Sequence, residues 1–174
     1  MTLSDEVFLR RAIALAQYAR EQGGDPFGAV LVWNGEVVHE AGDRSVACSD
    51  PTYHAELSVI SEYCRTHRRF SLEGYTLYSS TEPCLMCAGA IHWSRISRVV
   101  FSVSQQMLQE LSGGRPKPGC AELLNVGRQR VEVVGPLLPE EGLTVFAGYT
   151  LTPKVERHRA MFGPADASNG GVVV

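Results

Sequence analysis

The sequence predicts a layered α/β domain with a mixed β-sheet at its centre. Three observations carry this expectation: an amphipathic stretch near the start, a hairpin signature around Asn34-Gly35, and helical and strand-like segments that alternate beyond residue 50. A chain of 174 residues can bury a substantial core as one domain without covalent staples.

Between Asp5 and Gln22, the apolar residues Val7, Phe8, Ala12, Ile13, Ala16 and Tyr18 recur mostly every three or four residues. Ser4 is placed to cap this helix and Gly23-Gly24 to stop it. GAVLVWNGEVVHEA then offers two β-rich runs around Asn34-Gly35, a dipeptide that accepts the positive φ of a type I′ turn, so an antiparallel hairpin is expected. After the loop GDRSVACSDPT, the spacing of Ala55, Leu57, Val59, Ile60 and Tyr63 predicts a buried helix from His54 to about Cys64, with Pro51 and Thr52 ahead of it. YTLYSS has the aromatic and β-branched character of a strand, CLMCAGAIHWS reads as a second buried helix, and Arg98 to Val103 as a further strand. LSGGRPKPG is a loop, RVEVVGPLL offers a last strand, and a short helix fits from Pro139 to about Tyr149. The domain is expected to span residues 1–162, with 163–174 a frayed tail.

Composition narrows the classes of function. Hydrophobic residues at 44% and charged residues at 20% are ordinary for a soluble globular protein. The formal net charge of -3 gives no overall positive field toward phosphate backbones, which favours a small-molecule substrate. No apolar run approaches the roughly 20 residues that cross a bilayer, so no membrane partner is expected. Cysteines number five, and MTLSDEVFLR lacks the apolar stretch of a secretory signal, so a reducing cytoplasm is the expected setting.

The chemistry concentrates in four residues. Cys84 and Cys87 are three apart, which on a first helical turn points both sulfurs to one side, and the helix N-terminus favours their thiolate form. Alone, such a pair leaves open half of a structural zinc site, a redox pair or two unrelated core cysteines. His54 and Glu56 change that, because a His-x-Glu upstream of a Pro-Cys-x-x-Cys is the signature of zinc deaminases. Three protein ligands leave the fourth tetrahedral position of Zn²⁺ to water, which the metal acidifies into a hydroxide nucleophile. Glu56 is the candidate to take the water's proton and deliver it to the ring and the departing amino group. One rival is a closed Cys₃His site in which Cys48 joins the other three residues in a binding module, and another is a non-catalytic scaffold. Both leave Glu56 without a role. Cys64 and Cys120 read as ordinary thiols.

At these residues the chain resembles the cytidine deaminase-like superfamily, and within it the branch of guanine deaminases, yeast-type cytosine deaminases and bacterial tRNA adenosine deaminases. DPTYHAE is similar to the DPTAHAE of the guanine and tRNA enzymes, and TEPCLMCAGAI to their EPCxMCxGA helix. PFGAVLV and AIHWSR resemble guanine deaminase, whereas SRISRVVF resembles the tRNA enzyme. The resemblance runs from the first helix to about Phe101. It implies a three-layer α/β/α sandwich around a mixed five-stranded sheet, Zn²⁺ as cofactor, and a homodimer or higher homo-oligomer.

The same resemblance implies substrate contacts. Eleven residues before the metal histidine the family generally places an Asn against the substrate ring, and here Asp43 stands there. An ionised Asp only accepts hydrogen bonds, so it is expected to prefer a ring edge rich in N–H groups or a cationic ring. Trp93 and Phe27 are candidates to stack on a planar base, and the backbone N–H of Ala55 is a candidate substrate donor. A guanine-like free base is the favoured substrate and tRNA adenosine the alternative. The basic groups at Arg65, His67, Arg68 and Arg69, and at Lys154, Arg157, His158 and Arg159, bear on the tRNA reading but are ordinarily solvated surface. The stretch from Ser102 to Asn125, expected to close the pocket, matches neither branch.

Overall fold

The computed structural model describes residues 3–126 and 129–163. The tail expected over 163–174 therefore lies outside the described residues, Gly163 excepted. Five strands, β1 (Gly28–Trp33), β2 (Glu36–Gly42), β3 (Thr76–Thr81), β4 (Arg98–Val103) and β5 (Glu132–Val134), form one sheet in the order β2-β1-β3-β4-β5. β1 pairs antiparallel with both β2 and β3, while β3, β4 and β5 run parallel. The sheet is mixed, as the sequence predicts.

Strand alternation sorts the core into two faces. Ala29, Leu31, Leu77, Val99 and Phe101 pack with α2 (Ala55–His67), α3 (Leu85–Ser94) and α5 (Cys120–Leu124). Val30, Val32, Tyr78 and Val100 pack with Leu9 and Ala12 of α1 (Leu3–Glu21). Helices on both faces make the three-layer sandwich. The hairpin turn is left-handed at both central residues, with φ of 52° at Asn34 and 78° at Gly35, as a type I′ turn requires. Gly28 sets how closely α1 approaches the sheet, since a Cβ there would lie 2.3 Å from the Ala12 carbonyl oxygen. Arg98 on β4 grips both oxygens of the buried Asp5 on α1 at 2.8 and 3.0 Å.

Several boundaries differ from expectation for physical reasons. α1 begins at Leu3, so Ser4 lies inside the helix rather than ahead of it. α2 runs on to His67 and ends where Arg68 turns left-handed. The segment after β4 contains α4 (Gln105–Ser112), capped by Ser104, whose hydroxyl accepts from the Met107 N–H at 3.2 Å, and closed by left-handed Gly113. α6 (Pro139–Thr144) is shorter than the predicted helix. α7 (Lys154–Phe162) follows Pro153, which stands immediately ahead of the helix. Among the described residues, no helix is long and apolar enough to cross a membrane.

Candidate metal centre

His54 and Cys84 occupy equivalent places, each the extended residue immediately ahead of a helix, α2 and α3 respectively. Behind them Ala55, Val59, Cys87 and Ile91 are fully buried, so the two helix starts are held against the sheet by apolar packing. That packing brings His54 Nδ1 to 3.7 Å from the sulfurs of both Cys84 and Cys87, and all three donor atoms lie within 4.8 Å of one another. Zinc bound tetrahedrally through one nitrogen and two sulfurs spaces its ligand atoms by about 3.5–3.8 Å. The group fits one zinc ion, and its two sulfurs and one imidazole suit that metal. Cys48 is exposed and stands outside the group.

Glu56, on the first turn of α2, is buried. One carboxylate oxygen accepts from the Ser79 hydroxyl of β3 at 3.2 Å, and the other lies 3.6 Å from the Cys87 sulfur. Burial, then the charge on Cys84, pushes this carboxyl above the ordinary range, with His54 and the Ser79 bond opposing. The hydrogen bond from Cys87 holds the Cys84 thiol down to about 3, against burial and with help from His54. Cys87, which keeps the shared proton, is raised. Burial works most strongly against the His54 imidazolium, but the bond to Cys84 together with the negative charges of Glu56 and Cys84 raises the group. A lowered Cys84 thiol favours the thiolate form that a zinc ligand needs.

The expected substrate contacts lie in different settings. Asp43 is buried, and its oxygens are engaged: Oδ1 accepts from the Ser45 N–H and hydroxyl at 3.1 and 2.7 Å, and Oδ2 from the Lys154 ammonium at 2.6 Å. Lys154 carries no local sequence signal for this role, because it comes from 111 residues away. Ala55 is fully buried as the first residue of α2. Phe27 is half-buried, its ring 6.0 Å from that of Phe146. Trp93 is 80% exposed on α3, neither in the core nor under the sheet. In the second basic group, Lys154 and Arg157 turn inward: Arg157 bonds Asp25 and, at 2.6 Å, the Gly23 carbonyl.

Glu82, which the sequence reading passed over, fastens the segment beyond β4. Its oxygens accept from the Cys120 N–H at 2.6 Å and the Gln105 N–H at 2.9 Å, and the Gln105 side chain donates to the Glu82 carbonyl at 2.7 Å. One carboxylate two residues before Cys84 thereby ties the starts of α4 and α5 to the metal-facing turn.

Fold and site belong to one class of protein, the hydrolytic deaminases of nucleobases and nucleosides. Residues 2–103 match the cytidine and deoxycytidylate deaminase zinc-binding region. The chain is 39% identical over 151 residues to a probable cytosine deaminase of Schizosaccharomyces pombe, covering 83% of this chain and 91% of that protein. It is also 39% identical over 143 residues to a tRNA-specific adenosine deaminase of Bacillus subtilis, covering 79% and 83% respectively. The X-ray structure of guanine deaminase from Bacillus subtilis superposes with a TM-score of 0.60 at 31% identity, over 86% of this chain and 94% of that one. The chain belongs to the cytidine and deoxycytidylate deaminase zinc-binding family. It is a zinc-dependent hydrolase of C–N bonds in nucleobases or nucleosides.

Proposed function

We propose that this enzyme deaminates a free, guanine-like nucleobase, with His54, Cys84 and Cys87 as the zinc ligands and Glu56 as the proton carrier. The observation that carries the reading is the buried Glu56 carboxylate beside the His54, Cys84 and Cys87 group, 3.6 Å from the Cys87 sulfur. The ion supplies Lewis acidity that makes water nucleophilic near neutral pH. Glu56 carries two protons in turn. The attacking water's first proton goes to the ring nitrogen as the C–O bond forms, then the added hydroxyl's proton goes to the amino group as the C–N bond breaks, so ammonia leaves and the ring carbon keeps a carbonyl oxygen. Ser79 fixes one carboxylate oxygen and leaves the other to face the reaction, and the raised carboxyl gives up its proton more reluctantly than an exposed glutamate.

A free base is favoured over RNA because Lys154 and Arg157 are committed to buried aspartates instead of forming an open phosphate-binding surface. The alternative is tRNA adenosine, supported by the Bacillus subtilis relative and by the exposed Arg65, Arg68 and Arg69. Ammonia release across bases, nucleosides and an anticodon stem-loop separates the two, and release from the RNA alone would overturn the free-base reading.

The working unit is proposed to be a homodimer, on the support of exposed Leu85 and Trp93 on α3 and Val126 beyond α5, apolar surface of the kind that partners cover. A cytoplasmic setting is supported by five free thiols.

A further inference from the structure

The end of the sheet opposite the metal group carries a surface that the reaction leaves unused. His54 and Cys84 precede α2 and α3, whereas Arg68 and Arg95 close the same two helices, both left-handed, with φ of 51° and 62°. α2 has 13 residues, which separates its two ends by about 20 Å. The strands agree. Val32 pairs with Thr76, so Trp33 ends β1 where β3 begins, and the other end of β3 leads to Glu82 and Cys84.

At this far end Phe70 is 94% exposed, more than any other large apolar side chain among the described residues. It follows Arg65, His67, Arg68 and Arg69, all exposed. Among the described residues, none of the three arginines has an ion-pair partner. Arg65 donates to the Ser61 carbonyl of its own helix at 3.3 Å, and the Arg69 guanidinium lies 5.7 Å from the centre of the Trp33 ring. Trp33, 39% exposed, is stacked on Tyr75 with ring centres 5.6 Å apart. The carboxylates nearby, Glu36 opposite Trp33 in the hairpin and Glu73 in the loop, are not paired with these arginines. The Phe70 loop is bonded to the turn after α3, the Leu72 N–H donating to the Ser94 carbonyl and the Gly74 N–H to the Ser97 hydroxyl, both at 2.7 Å. A cleft of about 270 Å³ at that junction is lined in part by Glu73, Arg95, Ser97 and Arg130. Helix C-termini favour cations, which accounts for Arg65, Arg68 and Arg95 but not for a bare aromatic ring among them.

We infer that this far end binds a single-stranded polynucleotide, whose phosphates lie against Arg65, Arg68 and Arg69 and one of whose bases stacks on Phe70. Guanidinium groups beside exposed aromatic faces suit a single strand, because each phosphate is an anion and each base has a π-face. An acidic peptide would pair with the guanidiniums and leave Phe70 bare. An anionic membrane needs contiguous apolar surface to insert, and here the Arg69 guanidinium lies over Trp33 and leaves Phe70 alone. A base stacked here is about a helix length, roughly 20 Å, from the metal group. The surface therefore docks a strand without presenting it as substrate, which separates it from the tRNA alternative above, and it stands whichever base is deaminated.

Fluorescence anisotropy of a labelled single-stranded RNA of about ten nucleotides, titrated with the zinc-loaded full chain, tests this. Wild-type binding should weaken with salt on a log–log slope of about −2 to −3, the signature of about three or four phosphate contacts. Phe70→Ser removes an exposed ring and no core packing. It should weaken binding roughly five- to a hundredfold at an unchanged slope, and Phe70→Trp should restore it. Arg68→Asn combined with Arg69→Gln should make the slope shallower by about 1.4, Asn being suited to the left-handed backbone at that position. The absence of saturable binding, an equal loss in Phe70→Trp or an unchanged slope in the arginine double variant overturns the inference. Unchanged affinity in Phe70→Ser overturns it too, and is the result expected if RNA binds only as substrate at the metal group. Sedimentation with phosphatidylserine vesicles, weakened by Phe70→Ser and without RNA binding, would make this a membrane surface and equally overturn it. No turnover is read, so failure of the free-base reading leaves these outcomes distinct.

Discussion

Different forces hold the starts of α2 and α3, which carry the candidate metal group, and the helix α7. His54, Glu56, Cys84 and Cys87 sit on helix starts anchored by the buried Ala55, Val59, Ala88 and Ile91. α7 has no buried residue and is docked by Lys154, Arg157 and His158 on polar partners. Apolar packing fixes positions closely and tolerates little change, whereas exposed polar docking can be rewritten without unfolding the domain. The candidate metal group is thus built on the apolar-packed part, and α7 is the part whose contacts can be replaced.

The sharpest way to break this comparison is to remove a ligand. His54→Ala is expected to lose bound zinc and all measurable turnover, read by metal content and ammonia release; retained zinc with turnover would show that the buried helix starts do not hold the ion. Next in size is Gly28→Ala, which forces α1 off β1 and should cost about 1–3 kcal/mol by denaturant unfolding. A smaller effect is expected from Glu56→Gln in zinc-free protein. The Glu56 carboxyl is raised when folded, so its contribution is favourable at low pH and is lost as pH rises through that raised value. Glu56→Gln should therefore melt a few degrees higher than wild type near neutral pH, with the gap closing in acid. Smallest is Val155→Ser, at 65% exposure on α7, expected to change stability by less than about 0.5 kcal/mol. A large loss there would place α7 with the core.

The same contrast explains what was legible in the sequence. α1 and α2 carry helical periodicity, the hairpin carries turn chemistry, and β3 and β4, buried on both faces, read as short apolar runs, of which β4 matches residue for residue. The His-x-Glu and Cys-x-x-Cys spacing identified the metal group because its members lie on two short helix starts. α4 escaped notice although Ser104 and Gly113 are its cap signals, since the Gly and Pro that follow read as loop. The partnership of Asp43 with Lys154 had no local signal at all; it exists only because the fold returns the chain to that point. Asp43 alone suggested an open acceptor, and in the fold its oxygens are engaged by Ser45 and Lys154.

The central claim is that Glu56 moves protons beside a zinc ion held by three other residues. Zinc content and ammonia release measured together on Glu56→Gln test it directly. The expected result is one zinc per chain, as in wild type, with turnover lower by about 10²–10⁴-fold. Zinc-loaded Glu56→Gln protein with wild-type turnover would contradict it.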